Sequence, residues 1–437
     1  MLRTMHWRSM TEADRGWLAA RGMAAESADD LRPSIRDLVD DVRVRGDAAL
    51  VDALRTFDGV EVQPVGFRAS EAETGSALDR IDSDVHVAIK QMIANIRAFN
   101  EALLERRGSW TAEISPGHLV GERVGPIASA ALFCPSGKAS YPSVLAQIAT
   151  PAVVAGVEQL TVIVPPLPGG GGAIDDAVLV VAHELGLTEV FRVNGPAGVA
   201  AAAFGTDTIP AHGMVIGPGS PPVALAQLEV RAHGVDSVVL GPTESMVVAD
   251  SSADVRLLAA DLLNEAEHGT DSTVVLVTPD ENLVAAVDAE LDVQAAELPE
   301  ERRVAAKSAL AHNGGAVIVS DLAEAAIVAD WFAPEHCQLA VADPVELSES
   351  VHHAGELLLG QGTPFAVGNF TLGGPAALPT GGFANRSGGI TVEQFLKSSA
   401  VGRLDAGALE RVAASTIALA DHEGFPAHAN SIRIRRA

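Results

Sequence analysis

Short apolar segments alternate with helical patterns over most of this chain, and that alternation limits the folds it can adopt. Each apolar segment has the length of a buried strand, and a segment with apolar residues at helical spacing follows it. Buried strands that alternate with helices are typical of parallel sheets covered by helices. We therefore predict an α/β fold with doubly wound sheets. The predicted strands are Ile127–Phe133, Leu160–Val164, Val190–Val193, Met214–Ile216, Ser237–Leu240, Met246–Ala249, Thr273–Val277, Ala316–Val319, Cys337–Ala340 and Glu356–Leu359.

Helical patterns occupy the two ends of the chain. On the N-terminal side they cover residues 1–60 and Ile81–Leu104, and on the C-terminal side Val392–Lys397 and Gly407–His422. A loop rich in glycine and proline runs from Gly360 to Gly389. Loops of that length inside compact domains are usually functional, so we expect site residues there.

Composition excludes several classes of partner. The 437 residues carry a formal net charge of −27, which argues against nucleic acid and anionic membrane surfaces as partners. Cys134 and Cys337 lack the spacing of a paired motif, which indicates a reduced, cytoplasmic chain. The N-terminus has no secretory pattern, and no apolar run approaches the ~20 residues of a membrane span.

Glu265 and His268 end an amphipathic helix predicted from Ala253 to His268, just before Gly269. Residues three apart share a helical face, and a carboxylate with an imidazole suits a borderline metal such as zinc. A solvated helix end, with His268 placed favourably against the helix dipole, is the alternative.

Three further stretches carry polar groups suited to chemistry. Glu335 and His336 lie side by side at a junction between a loop and a strand, where an acid and an imidazole could act as two bases. Gly368-Asn369-Phe370 lies in the long loop. Glu423 and His428 lie five residues apart in the C-terminal tail.

Taken together, these stretches resemble the histidinol dehydrogenase family. The likeness rests on an ordered set of short motifs that extends from about Gly125 to the C-terminus. These motifs are Gly-Pro-Gly (Gly217–Gly219), Gly-Pro-Thr-Glu (Gly241–Glu244), Ala-Glu-His-Gly (Ala266–Gly269), Pro-Glu-His (Pro334–His336), Leu-Pro-Thr (Leu378–Thr380) and the terminal Glu-x4-His.

The resemblance implies a homodimer of two incomplete Rossmann-like, doubly wound domains with small helical extensions. Residues 1–30 would form the N-terminal extension, and residues 31–124 with 241–385 the first Rossmann-like domain. Residues 125–240 would form the second, cofactor-side domain, and residues 386–437 a tail that reaches the partner subunit.

The resemblance also implies a zinc-assisted, NAD-dependent oxidation of a primary alcohol through an aldehyde to a carboxylate. His336 would take the alcohol proton, and Glu335 would activate the water that attacks the aldehyde. The zinc ligands would be Glu265, His268, Asn369 and His428. Glu423 and His428 would enter the active site of the partner subunit.

Two of the implied zinc ligands depart from the family pattern. The family has glutamine where this chain has Glu265, and aspartate where it has Asn369. The double change still provides two imidazoles, one carboxylate and one amide, which favours a retained metal. The alternative is that both positions changed because the metal was lost.

The positions implied for substrate and cofactor also differ from the family. Ala376 replaces a histidine that contacts substrate, and Thr243 replaces a serine, whereas Glu423 is kept. Phe133, Ala197 and Ser220 replace a tyrosine, a glutamine and an asparagine that contact NAD. Ser136, Lys138 and Ser220 are candidate replacements, and Lys138 would suit a phosphate or NADP unless it is only a solvated loop lysine.

These departures leave four hypotheses open. The first is a dehydrogenase acting on a different small polar primary alcohol or amino alcohol. The second is histidinol itself as substrate, against which Ala376 counts because the site has lost a polar partner. The third is a dimeric, non-redox binding protein on the inherited fold. The fourth is a zinc hydrolase that uses Glu335.

Overall fold

The computed structural model describes residues 1–21, 25–136, 140–238 and 241–436, with backbone features only for 25–29. The strands are β1 Thr4–His6, β2 Trp110–Ser115, β3 His118–Pro126, β4 Ser129–Phe133, β5 Gln159–Val164, β6 Val190–Arg192, β7 Val215–Ile216, β8 Glu244–Ala249, β9 Thr273–Thr278, β10 Gly315–Ile318, β11 His336–Ala340, β12 Glu356–Leu359 and β13 Leu396–Leu404. The α-helices are α1 Glu12–Ala19, α2 Ala25–Arg45, α3 Asp47–Ala53, α4 Glu71–Arg80, α5 Ser83–Arg106, α6 Pro142–Ala155, α7 Asp176–Glu184, α8 Gly195–Phe204, α9 Pro221–Arg231, α10 Val255–Ala266, α11 Glu281–Ala295, α12 Glu300–Ser308, α13 Leu322–Phe332, α14 Pro344–Ser348, α15 Phe365–Phe370, α16 Ala406–His422 and α17 Pro426–Arg435.

A six-stranded parallel sheet has the order β1-β10-β9-β8-β11-β12. Apart from β1, the chain winds outward in both directions from the β8–β11 pair, as in a doubly wound fold. Its strands are buried from both sides, by α10, α11 and α12 on one face and by α13 and the N-terminal residues on the other. A second parallel sheet has four strands in the order β6-β5-β4-β7. The prediction of an α/β fold with two Rossmann-like units is confirmed.

Helices α2 to α5 pack on the four-stranded sheet. Buried residues of α2 and α3 share a core with α8 and α9, and those of α5 share a core with α6 and α7. The domain boundaries predicted from the sequence instead group residues 31–124 with 241–385. Residues 1–30 also supply β1 to the six-stranded sheet. The contacts therefore favour a different grouping of the N-terminal residues, and the domain boundaries stay a proposal.

The C-terminal tail includes a long strand that the sequence analysis missed. β13 pairs antiparallel with β3 along its full length, and β3 also pairs with β2. The helix predicted at Val392–Lys397 is wrong, because a single 3-10 turn ends at Phe395 and β13 begins at Leu396. The helices α16 and α17 follow and pack on each other. We call residues 396–436 the C-terminal arm.

Two smaller predictions also differ from the structure. The loop Gly360–Gly389 contains the short helix α15, which carries Asn369. Ser237 and Val238 are not in a strand, and residues 239–240 of that predicted strand lie outside the described residues. Among the described residues, no helix combines the length and the apolar character needed to cross a membrane.

Candidate active site

The polar residues of interest gather at the amino edge of the six-stranded sheet. His336 is the first residue of β11, Glu356 the first of β12 and Glu244 the first of β8. Helix α10 runs back across the sheet after β8, so its last turn, with Glu265, returns to the same edge. This differs from the general rule for doubly wound sheets, which places ligands at the carboxyl edge.

Glu335 and His336 are both buried, with side chains 10% and 3% exposed. The left-handed residue Ala333, with φ of 50°, ends α13 and turns the chain into this pair. Glu335 Oε1 lies 3.9 Å from His336 Nε2, and Glu335 Oε2 accepts a hydrogen bond of 3.0 Å from the backbone N–H of Glu244. The two predicted bases therefore lie close enough to act on the same bound molecule.

Burial raises the pKa of Glu335 to about 8. The carboxylates of Glu265 and Glu244 add to this rise, whereas His336 and the N–H of Glu244 oppose it. Burial alone would lower the pKa of His336. The hydrogen bond that the imidazole donates to Glu356 and the charges of Glu335 and Glu265 outweigh burial and raise that pKa to about 9. Both groups therefore hold protons more tightly than in water.

Three of the four predicted metal ligands come together. Glu265 is fully buried, and its Oε1 accepts hydrogen bonds from Asn264 Nδ2 at 2.6 Å and Asn369 Nδ2 at 3.0 Å. The exposed His268 places Nε2 4.0 Å from the same oxygen, although α10 ends at Ala266 rather than at His268.

The other oxygen of Glu265 supports a cation at this position. Oε2 is buried and has no hydrogen-bond partner, an arrangement that costs free energy unless something compensates it. Asn369 turns its NH2 group toward Glu265, so its Oδ1 would face a metal after a flip of the amide. Within the described residues, no three His, Cys, Asp or Glu side chains are grouped to hold a metal. One chain therefore offers an incomplete set that fits a cation.

Glu423 and His428 lie apart from these residues. They line a groove on the C-terminal arm with Arg411, Leu419 and Phe425, and no residue of the Glu265–His336 cluster lines that groove. Both side chains are exposed.

Thr243 lies at the amino edge of the six-stranded sheet, and Ala376 lies in the loop that follows α15. Thr243, which is half-buried, directly precedes β8, and its carbonyl oxygen accepts from the N–H of Thr273 at 2.9 Å. The backbone N–H of Ala376 donates to Gln147 Oε1 of α6 at 3.3 Å. The loop that holds Ala376 therefore reaches the helices of the other sheet.

The predicted cofactor residues that the structure describes, Phe133, Ser136, Ala197 and Ser220, lie at the carboxyl edge of the four-stranded sheet. Phe133 and Ala197 are 1% and 0% exposed and belong to the core, so packing does not favour a direct cofactor contact from either. Ser220 is exposed at the N-terminus of α9, and its side chain makes no capping bond. Ser136 is half-buried, and Lys138 lies outside the described residues.

Two acidic residues at the amino edge of the six-stranded sheet, Glu356 and Glu244, were not predicted as site residues. Glu356 Oε2 lies 2.8 Å from His336 Nδ1. Glu244 was quoted within a motif but given no role, and its carboxylate pairs with the buried Arg21 at 2.7 Å. The sequence did contain a signal for Glu356, because an acidic residue begins the otherwise apolar strand Glu356-Leu-Leu-Leu359.

Comparisons of sequence and of structure match almost the whole chain to proteins of one family. The profile of the histidinol dehydrogenase family matches residues 22–436. Histidinol dehydrogenase of Synechococcus sp. is 40% identical over 404 residues, 92% of each chain. A "histidinol dehydrogenase homolog" of Colwellia psychrerythraea is 36% identical over 91% of this chain and 89% of its own length. The crystal structure of histidinol dehydrogenase from Elizabethkingia anophelis covers 99% of this chain and 98% of its own, with a TM-score of 0.92 at 26% identity.

Proposed function

The chain belongs to the histidinol dehydrogenase family, and we propose that it is a zinc-assisted, NAD(P)-dependent dehydrogenase. Its substrate would be a small polar primary alcohol or amino alcohol, oxidised through the aldehyde to the carboxylate. The observation that carries this proposal is the buried pair Glu335 and His336 beside the cluster of Glu265, His268 and Asn369.

Glu265, His268 and Asn369 would hold the zinc ion, with His428 of a second copy as the fourth ligand. The unpartnered buried oxygen of Glu265 supports this assignment. When bound, the ion would orient the alcohol and stabilise negative charge on its oxygen.

The two bases would act in different steps of the reaction. In its unprotonated form, His336 would take the hydroxyl proton at Nε2. When bound, the oxidised nicotinamide would accept the hydride from the alcohol carbon, and a second oxidised cofactor would accept the hydride from the hydrated aldehyde. Glu335 then takes a proton from the water that adds to the aldehyde. A carboxylate with a pKa of about 8 is a stronger base than an exposed one, and the fraction that has lost its proton and can act as a base grows as pH rises toward 8. His336→Ala should therefore abolish alcohol oxidation, whereas Glu335→Ala should spare it and slow aldehyde oxidation.

The cofactor would bind at the carboxyl edge of the four-stranded sheet. Helices α8 and α9 begin there, and helix N-termini attract the negative charge of a pyrophosphate. Ser136, Lys138 and Ser220 are the proposed polar contacts, and NADP is the alternative to NAD.

The substrate site would include Thr243 and Ala376, with Glu423 from the second copy. Ala376 cannot hydrogen-bond an imidazole, which favours a different polar alcohol. Histidinol itself is the second candidate, and the names of the similar proteins favour it. A non-redox binding protein is the third, favoured by the burial of Phe133 and Ala197.

A homodimer would complete the site. The C-terminal arm presents large apolar side chains to solvent, with Leu419, Phe425 and Ile434 62%, 49% and 64% exposed. Covering them against a second copy would bring Glu423 and His428 to that copy's Glu265 cluster.

Mixed dimers test this arrangement. His336→Ala and His428→Ala should each be inactive alone, but a heterodimer of the two has one intact site if His428 acts in trans. Random mixing should then restore about one quarter of the wild-type activity. No recovery in verified heterodimers would contradict action in trans.

The direct test of the proposed function is a panel of primary alcohols and amino alcohols, including histidinol, with zinc-loaded protein. Reduction of NAD or NADP should be seen with at least one alcohol and be lost in His336→Ala. No reduction with any alcohol, alongside tight binding of one of them, would favour the binding protein. Metal-dependent hydrolysis without reduction would favour a hydrolase.

A further inference from the structure

Glu356 contacts His336, and the proposed reaction gives it no role. Its Oε2 is 2.8 Å from His336 Nδ1, and the two side chains are 8% and 3% exposed. A hydrogen bond shielded from water in this way holds both partners in one arrangement.

The sheet itself places this carboxylate. Strands β11 and β12 are parallel neighbours, and His336 and Glu356 are register partners at their first residues. The backbone N–H of Glu356 also donates to the carbonyl oxygen of Glu335 at 2.9 Å. Register partners project from the same face of a sheet, so the carboxylate meets the imidazole without a distorted backbone.

Two neighbours on helix α15 shape the space around this pair. The ring of Phe365 lies edge-on to the imidazole, with centroids 6.0 Å apart and planes at 74°. A Cβ atom at Gly368 would lie 2.8 Å from Glu356 Oε2, closer than ordinary contact allows. The helix that carries Asn369 therefore leaves room for the carboxylate and supports the ring.

We infer that Glu356 is a positioning residue that fixes the tautomer and orientation of His336. The carboxylate accepts a hydrogen bond from the N–H at Nδ1, which leaves the lone pair of Nε2 on the side of Glu335, 3.9 Å from its Oε1. Nε2 is then the atom that receives the alcohol proton, and the charge on Glu356 stabilises the imidazolium that forms.

The raised pKa of His336 agrees with this geometry. The groups that face the ring are the carboxylates of Glu335, Glu356 and Glu265, and their charges outweigh the effect of burial. An imidazole held among carboxylates is a stronger proton acceptor than one in water.

The first test measures enzyme activity, and it rests on the proposed function. Glu356→Gln has nearly the same volume but can present its NH2 group to Nδ1, which favours the wrong tautomer. We expect kcat for alcohol oxidation to fall about 100-fold or more, with KM for the cofactor and zinc content unchanged. Glu356→Asp, which keeps the charge, should recover part of the loss. Equal loss in both variants, or wild-type kcat in Glu356→Gln, would overturn the inference.

Nitrogen NMR provides the second test and needs no substrate. In zinc-loaded protein at a pH above 9, the ¹⁵N shifts of His336 should show a protonated Nδ1 and an unprotonated Nε2 in the wild type. In Glu356→Gln they should show the opposite tautomer or a mixture. The control is His212, a buried histidine whose Nε2 lies 2.9 Å from Thr161 Oγ1 of β5, and its shifts should stay fixed. If no alcohol is oxidised by the wild type, the proposed function fails but these shifts still decide the role of Glu356. An unchanged tautomer in Glu356→Gln would refute it.

Discussion

Replacing Glu335 by glutamine should stabilise the protein at alkaline pH and change its stability little at acidic pH. Burial raises the pKa of Glu335 from 4.5 to about 8. At about 1.4 kcal/mol per pKa unit, the ionised carboxylate therefore costs the folded state about 5 kcal/mol. Glutamine has no proton to lose, and its Oε1 can still accept the 3.0 Å hydrogen bond from the N–H of Glu244.

The sign of the effect follows from proton binding. Between pH 4.5 and about 8, Glu335 is ionised in the unfolded chain but keeps its proton in the folded one. The folded state then binds more protons, so the stability of the wild type falls as pH rises through this range. Below this range both states are protonated, and the cost is absent. His336, whose pKa is raised to about 9, also contributes stability that is lost as pH rises through that value.

Urea unfolding at pH 5 and pH 9 measures the difference. Chelator in both samples removes the linkage to metal, and equal protein concentrations remove any effect of association. The variant should exceed the wild type by up to about 5 kcal/mol at pH 9 and by a small fraction of that at pH 5. Glu267→Gln, a change at a half-buried residue, is the matched control and should show no such pH dependence. The same difference at both pH values would refute the reasoning.

Two further predictions concern the surroundings of the site. Gly368→Ala should displace the Glu356 carboxylate and lower kcat. The control is Gly374→Ala, whose Cβ would lie 3.7 Å from the same side chain and should leave kcat unchanged. Equal values of kcat in the two variants would contradict the packing argument. Arg21→Met should lower the free energy of unfolding by about 3 kcal/mol or more, because it leaves the buried Glu244 carboxylate without its cation. Thermal unfolding checks this, and Glu244→Gln in the same background should recover part of the loss.

The sequence predicted the parts of the fold whose side chains are buried. Strands β5 and β9 fall within a residue of their predicted bounds, because their apolar residues face a core. Strand β13 was missed since nearly all of its side chains are exposed, so no alternation of polar and apolar residues marks it. Strand β1, at three residues, is too short to leave a pattern.

The site was predictable only where local spacing or family resemblance pointed to it. Glu265 and His268 share the end of one helix, and Asn369 joins them as the resemblance implied. The contact between Glu356 and His336 depends on which strands are neighbours and in what register, and neither can be read from spacing along the chain. The position of the cluster at the amino edge of the sheet depends on the same tertiary information.

The central claim is that the chain keeps its metal despite carrying glutamate and asparagine at positions 265 and 369. The most direct measurement is the zinc content of protein purified without chelator, for the wild type, Glu265→Ala and the control Glu267→Ala. We expect about one zinc per chain in the wild type and the control, and loss of zinc in Glu265→Ala. Wild-type protein that takes up no zinc, even when the metal is supplied, would contradict a retained metal site.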